Sequence, residues 1–536
     1  MFCHLLTERV NRKGIVMKLS SLIASAVVTG SSFMQAAEKP AQKPNILFIP
    51  VDDLKPLLGC YGASQIKSPN IDKLAKRGTI FANAQCQMAV CGPSRASLMT
   101  GMYCDYTQVW DLKTKMRDRR PDILTIPQYF KQKGYVTTGL GKTFDSRCVD
   151  GKLDEPSWSI RYGSQGAITH SKGIKLKGYP GYQNPTTISL RNNLRKQARE
   201  QGLKGNKEKE YLAQHGGIPP VECADVPDDA YFDGAMANGA IALLRKLARD
   251  DKPFFLSVGF LKPHLPFIAP KKYWDLYDRN EIDLAAYRDM PKGAPGIGFQ
   301  PGWELRDHYS VPKEGRLPDD LQRELIHGYY ACVSYIDAQV GALMKALDET
   351  GLRENTIVVL WGDHGWHLGD HSMWCKHSNF EQAVRSPLIF SAPGMKSVGR
   401  AASSPVGFVD IFPTLCELAG LPVPEQLQGT SLVPMLNDPS ASVKYGELSQ
   451  YRRTVEGQPM MGYTYRTERY RYTLWYSMVD GTLGNPDKVI ERELYDYQQD
   501  PLETKNWVDN PELSEVVADL DGKLKAKLFE IVESAK

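Results

Sequence analysis

Short apolar runs that alternate with amphipathic stretches, and that end on clustered polar residues, constrain this chain more than any other feature. Asn45-Ile46-Leu47-Phe48-Ile49-Pro50-Val51, Tyr135 to Leu140, Phe254 to Phe260, Thr356 to Trp361 and Pro387 to Ala392 read as strands, and Gly234 to Arg249 and Leu321 to Glu349 as helices. That alternation is the sequence form of βαβ units and predicts an α/β architecture around a largely parallel sheet. The residues just beyond the strands are more telling. Asp52-Asp53 comes after the first, Lys142 after the second, Lys262-Pro263-His264 after the third and Asp363-His364 after the fourth. Ligands of open α/β sheets sit at the carboxyl ends of strands, so these four clusters are expected to converge on one site.

Residues 150–230 and 268–320 are rich in Gly, Pro and charge with weak periodicity, and are read as long loops or insertions around that site, where substrate selection resides. After about residue 425 the pattern becomes strand-like and aromatic, from Tyr463 to Tyr476 and Glu493 to Tyr497, with a last helix near Leu513 to Glu533. The expected division is a leader over 1–37, a catalytic domain over 38–425 and a smaller α+β domain with a small antiparallel sheet over 426–536. The leader is read from Met17-Lys18, the small and apolar stretch Leu19 to Phe33, and Met34-Gln35-Ala36-Ala37 before the charged Glu38-Lys39. A basic start, a short apolar core and a small-residue exit describe a secretory signal peptide, whereas a membrane span needs roughly 20 apolar residues. Residues 1–16 are polar and unlike a leader, which makes Met17 the expected start.

With 42% hydrophobic and 24% charged residues, the 536-residue chain is neither disordered, collagen-like nor a multi-span membrane protein. Its formal charge is +4, and Arg9, Arg12, Lys13 and Lys18 against Glu8 account for three of those charges. The mature chain is therefore close to neutral, which gives no warrant for nucleic-acid binding. Ten cysteines show no CxxC pair or zinc-finger spacing, which argues against structural zinc. Export allows disulfides, with a pairing the sequence does not specify. No Asn-x-Ser/Thr site occurs with x other than Pro, which favours a bacterial periplasmic or secreted protein over a glycosylated one.

The segment Cys91-Gly92-Pro93-Ser94-Arg95-Ala96-Ser97-Leu98-Met99-Thr100-Gly101 has Pro near a helix start, helix formers after it and Gly at the expected stop. It places Cys91 at a helix N-terminus, where free N–H groups favour an anion, and Arg95 one turn on adds a guanidinium suited to a tetrahedral oxyanion. Cys-x-Pro-Ser-Arg followed by Thr-Gly resembles the signature of the formylglycine-dependent sulfatases at every defining position. The resemblance extends over nearly the whole mature chain and is strongest to the iduronate-2-sulfatase branch. It is carried by Pro44-Asn45-Ile46-Leu47, Val51-Asp52-Asp53-Leu54, Ser68-Pro69-Asn70-Ile71-Asp72, Lys262-Pro263-His264-Leu265-Pro266-Phe267, Asp363-His364-Gly365-Trp366, Trp374-Cys375-Lys376-His377-Ser378-Asn379-Phe380 and Tyr470-Arg471-Tyr472-Thr473.

The resemblance implies an alkaline-phosphatase-like sandwich, a mixed, largely parallel sheet between helices. It implies that a formylglycine-generating or sulfatase-maturating enzyme oxidises Cys91 to formylglycine (3-oxoalanine), whose hydrate attacks the sulfur of a sulfate ester. It makes Asp52, Asp53, Asp363 and His364 the ligands of one calcium ion, with Cys91 a further member of the metal site. Adjacent carboxylates at one strand end and a third at another suit a hard cation, while an imidazole is less typical of Ca²⁺. Arg95, Lys142 and Lys376 would hold the sulfate, and His264 would protonate the departing sugar oxygen. Lys262 is a further cation available to the sulfate, and Trp366, with His367, His371 and His377, is near enough to the metal segment in sequence either to line a sugar pocket or to pack in the core behind the site.

One position departs from the branch. Where the iduronate-2-sulfatases have a His three residues after their Gly-Lys lysine, this chain reads Gly141-Lys142-Thr143-Phe144-Asp145. An ionised Asp145 would repel a substrate carboxylate, so it is expected instead to bond sugar hydroxyls, Lys142 or Arg147. The leading expectation is an exported sulfatase acting on a sulfated glycosaminoglycan or algal polysaccharide fragment. The alternative is a phosphodiester or phosphonate monoester hydrolase of the alkaline phosphatase superfamily.

Overall fold

The computed structural model places residues 43–163, 181–479, 482–483 and 488–535; the expected leader lies outside the described residues. Strand β1 (Asn45–Val51) is buried throughout, and apolar after Asn45, because both of its faces are covered. Ile46 and Phe48 enter one core, and Leu47, Ile49 and Val51 the other. With β2 (Thr79–Phe81), β3 (Val136–Gly141), β4 (Phe254–Gly259), β5 (Thr356–Gly362), β6 (Leu388–Ser391) and β7 (Arg400–Ala402) it forms a seven-stranded sheet in the order β7-β2-β6-β5-β1-β4-β3. The β5-β1-β4-β3 half is parallel, while β6 runs antiparallel to both β5 and β2. The sheet is therefore mixed and largely parallel, as expected.

The helices that matter for the site are α1 (Cys91–Thr100), α2 (Pro185–Glu200), α3 (Asn206–Gln214), α4 (Phe232–Leu247), α5 (Asp319–Glu349) and α6 (Ser514–Ala535). Helices α4 and α5 cover one face of the sheet, and α1 with the helix Ile411–Leu418 covers the other. The second sheet is antiparallel and comprises β8 (Gly446–Val455), β9 (Gln458–Thr467), β10 (Tyr470–Val479), β11 (Thr482–Leu483) and β12 (Glu491–Asp496). Leu520, Leu524, Leu528 and Ile531 of α6 pack on Met461, Tyr463, Tyr472 and Leu474 of its inner face.

The structure differs from the expectation in two places. The run Tyr463 to Tyr476 spans two strands joined at Glu468-Arg469, and β8, which precedes them, carried no strand signal. The segment 150–230 is not all loop, for it contains α2 and α3. Helix α2 buries only Arg191, Leu194 and Ala198, too thin a stripe to register as amphipathic spacing. Among the described residues all nine cysteines are free, and no helix is long and apolar enough to cross a membrane.

Candidate active site

Four strand ends and the start of one helix meet at one point. Asp52 and Asp53 come directly after β1, and Asp53 adopts φ 60°, a left-handed conformation that turns two successive carboxylates towards the same centre where an extended chain would splay them. Asp363 and His364 come directly after β5, and the Asp53 N–H donates to Asp363 Oδ1 at 3.0 Å, which ties the two strand ends together. Lys142 lies beyond β3 after Gly141, which adopts φ 74° with the Gly259 carbonyl where a Cβ would stand, so that no larger residue fits the crossing. Helix α1 begins at Cys91 and ends on Gly101, whose φ of 67° closes the last turn on Leu98 and Ser97, as the sequence predicts.

Cys91 is buried, with its Sγ 3.4 Å from His364 Nε2, 3.8 Å from Asp53 Oδ1 and 3.6 Å from Lys376 Nζ. Burial, and then the negative charge of Asp52, push its thiol well above the ordinary range. Lys142 Nζ bonds Asp52 Oδ2 at 2.6 Å and Lys376 Nζ bonds Asp53 Oδ1 at 2.9 Å. Burial opposes both ammonium charges, but these carboxylates outweigh it and raise both pKa values. Asp52 is correspondingly held well below the carboxylate range by Lys142 and Arg95, against the effect of burial. His264 turns Nδ1 to the Leu265 carbonyl at 2.8 Å, which leaves Nε2 facing Asp53 Oδ2 at 3.8 Å.

The donor set fits a cation. His364 Nδ1 lies 2.9 Å from the Gly365 carbonyl, which can only accept, so Nδ1 bears a proton and Nε2 is the ring nitrogen turned to the site. Nε2 faces Asp53 Oδ1 at 3.3 Å and Asp363 Oδ2 at 3.6 Å. Asp53, Cys91, Asp363 and His364 each offer a ligand atom within 4.8 Å of the others in a buried place, an arrangement that suits a cation.

Three expected contacts take a different form. Arg95 is fully buried and directs Nε to Asp363 Oδ2 (3.0 Å), Nη2 to Asp52 Oδ1 (2.9 Å) and Nη1 to the Lys142 and Thr143 carbonyls. It therefore fixes the two carboxylates Asp52 and Asp363 in place. Lys262 Nζ donates to the carbonyls of His264 and Pro266, 2.5 and 2.8 Å away, and so props the turn that bears His264. Trp366 has no exposed surface and lies beneath Lys376, whose Nζ is 5.1 Å from its ring centre, so it supports that cation instead of lining a sugar pocket. His367 and His371 are likewise buried and bond Ser378 and the Leu502 carbonyl.

Asp145 resolves one of the sequence's open alternatives. Its carboxylate binds Arg147 through both oxygens (2.8 and 2.7 Å) and lies 3.8 Å from Lys142 Nζ. Burial raises its pKa, but the Arg147 hydrogen bonds and the Lys142 charge prevail and hold it down to about 2. Asp52, Lys142, Asp145, Arg147 and His264 line a cavity of about 400 Å³ that gives access to the site.

Two residues of the site had no signal in the sequence. Glu304, on the short helix Trp303–Arg306, pairs with Lys376 Nζ at 3.0 Å, and Arg453 of β8 donates to the carbonyl of His377. Arg471 and Asn379 extend that clamp, since Arg471 donates to the Asn379 carbonyl at 2.9 Å and Asn379 to the Gly462 carbonyl at 3.0 Å. The second sheet thus grips the segment carrying Lys376, in which Cys375 and His377 both have positive φ.

Comparison with known proteins agrees with this geometry. The sulfatase family model matches residues 44–421, and a model described as N-sulphoglucosamine sulphohydrolase, C-terminal, matches residues 369–530. The chain belongs to the sulfatase family. Iduronate 2-sulfatase of Homo sapiens is 34% identical to this sulfatase, across 90% of this chain and 94% of that protein. Among solved structures, a protein in complex with its substrate D-glucosamine-2-N,6-O-disulfate superposes with a TM-score of 0.67 at 20% identity, covering 92% and 98% of the two chains. Phosphonate monoester hydrolase of Agrobacterium radiobacter superposes at 0.65 with 21% identity, covering 92% and 96%. At those identities the likeness is one of fold, and it establishes the alkaline-phosphatase-like architecture expected from the sequence. The enzyme is a sulfuric ester hydrolase by family.

Proposed function

We propose that this sulfatase removes sulfate from a sulfated carbohydrate, a glycosaminoglycan-type or algal polysaccharide fragment, using residue 91 in its formylglycine form and one calcium ion. The observation that carries the reading is the meeting of Cys91 with Asp53, Asp363, His364 and Lys376 within hydrogen-bond or near-contact distances in a buried pocket. The relatives point the same way, since the names of two of them specify sulfated sugars of glycosaminoglycan type. In this reading the protein works in the periplasm or outside a bacterial cell and depends on a formylglycine-generating or sulfatase-maturating enzyme.

Bound calcium would draw electron density from the sulfate oxygens, and the hydrated aldehyde would supply a hydroxyl more nucleophilic than any group of the unmodified chain. Asp52, Asp53, Asp363 and His364 would hold the ion, and Arg95 keeps Asp52 and Asp363 in place. Lys142 and Lys376 hold the anionic ester and meet the charge that develops on its oxygens. His264, when protonated on Nε2, donates that proton to the departing sugar oxygen. Overall, water and the ester give the free sugar hydroxyl and sulfate.

Peptide mass spectrometry of protein from its native host tests the reading, paired with turnover assays on a sulfated heparin disaccharide and a phenylphosphonate ester. The expected outcome is an aldehyde at residue 91 and preferential sulfate release. An intact thiol in active enzyme would remove the aldehyde mechanism, and faster phosphonate hydrolysis would transfer the function to the alternative class.

A further inference from the structure

A second cavity, of about 580 Å³, opens beside the first and shares His264 and Arg147 with it. Its volume falls within the range of small-ligand sites. One wall is made by α2 and α3, the two helices unforeseen in the sequence, and the floor by Leu212, Ile218, Leu265 and Pro266. Most charges around it are matched. Arg147 is paired with Asp145, Lys209 with Asp307 at 3.1 Å, and Glu304 with Lys376 at 3.0 Å. His308 is kept neutral by burial, which lowers its pKa to about 4.

Arg191 and Arg195 are the exception. Arg191 is only 8% exposed, lies over the Tyr182 ring at 4.8 Å and donates to the Gly217 carbonyl. Among the described residues no carboxylate forms an ion pair with it. Arg195 stands one turn along the same helix, with its Nε 3.8 Å from Glu208 Oε1 and no closer acid among the described residues. Like charges at i and i+4 destabilise a helix, and Arg191, largely desolvated, has only the more distant Glu222 as a counter-charge. Both side chains line the cavity, so an anion entering it would relieve both costs.

We propose that this cavity receives a second anionic group, a carboxylate or a sulfate, on the sugar adjoining the one that loses its sulfate, with Arg191 and Arg195 as its contacts. The inference rests on the carbohydrate reading above, because a substrate must extend from the first cavity past Arg147 and His264 into the second. It assigns specificity to α2: the enzyme selects a multiply charged oligosaccharide over a singly charged one.

The test is calorimetric binding of a heparin disaccharide with one uronate carboxylate and two sulfates, its carboxyl-reduced form and its monosulfated form. The protein is the full-length Cys91→Ala variant, which does not turn the probes over, with and without Arg195→Ala. Arg191→Leu is the second variant, and its thermal melt checks folding. Arg195→Ala is expected to weaken the parent disaccharide about ten-fold, the worth of one charge-assisted hydrogen bond. Loss of that penalty with the carboxyl-reduced probe identifies the carboxylate as the second anion, and loss with the monosulfated probe identifies the sulfate. A penalty equal for all three probes, or none for any, overturns the inference while leaving the carbohydrate reading intact. Failure of every probe to bind the Cys91→Ala protein overturns both.

Discussion

Asp52, Asp53, Arg95, Asp363 and His364 are buried at the strand ends, and each bonds at least one other protein group. On the wall of the neighbouring cavity Arg195 and Lys209 keep 44% and 57% of their side-chain surface exposed, and Arg195 meets its acid only at 3.8 Å. The first region has its geometry fixed before substrate arrives, as electrostatic catalysis requires. The second keeps its charges partly exposed to water, which suits a surface that must accept one partner among similar ones. A substitution in the first should therefore abolish chemistry, and one in the second should re-rank substrates.

Cys91→Ala is the most severe way to check the first half of that contrast. It should lower kcat by at least about four orders of magnitude, since residues acting at the reacting atom are not replaced by their neighbours. Sulfate release by a folded variant above about one-hundredth of wild type would break the comparison at its root.

Arg95→Leu leaves every proposed metal ligand in place but removes the bonds that orient Asp52 and Asp363. Groups behind the ligands typically contribute about 10–100-fold in metal affinity, and elemental analysis across a chelator series should find a loss of that size. Unchanged affinity would mean that the carboxylates hold their positions without the guanidinium.

Arg453→Leu acts through the second sheet by freeing the His377 carbonyl and with it the Lys376 segment. A displacement of that cation by about 1 Å should cost roughly ten-fold or more in kcat with little change in KM. A rise in KM alone would place Arg453 with the cavity wall instead.

The smallest effect concerns Asp145, which belongs to both regions. Its folded pKa of about 2 lies below the roughly 3.9 of an unfolded Asp, so it contributes stability above the unfolded value that fades as pH falls through the folded one. The difference in urea unfolding free energy between wild type and Asp145→Asn should be flat from pH 8 to pH 5 and shrink by about 1 kcal/mol by pH 3. A difference that stays constant to pH 3 would show that the Arg147 pair does not hold the carboxylate ionised.

Legibility in the sequence divides along the same line. The strand-end residues are legible because each sits immediately after an apolar run, and Cys91 because Pro93 near the start and Gly101 at the stop bracket the helix it begins. Arg95 is legible as a residue but not in its direction, since nothing in a sequence says that a guanidinium turns inward to acids 43 residues before and 268 residues after it. Glu304 and Arg453 are invisible for a related reason: each reaches the site from a separate segment, one a single helical turn and the other a strand of the second sheet. Helix α2 escapes because only three of its sixteen residues are buried.

The clamp on Lys376 also sets an order in time. Arg453 and Arg471 come more than 360 residues after Cys91, so a chain leaving the ribosome presents its cysteine well before the groups that complete the pocket exist. At about 5–20 residues per second the interval is roughly 20–75 s, during which that thiol is open to other proteins. Once β8 and β10 pair with β9, the segment bearing Lys376 is locked beside Cys91 and the window closes. The order of synthesis therefore leaves this residue reachable before the fold encloses it.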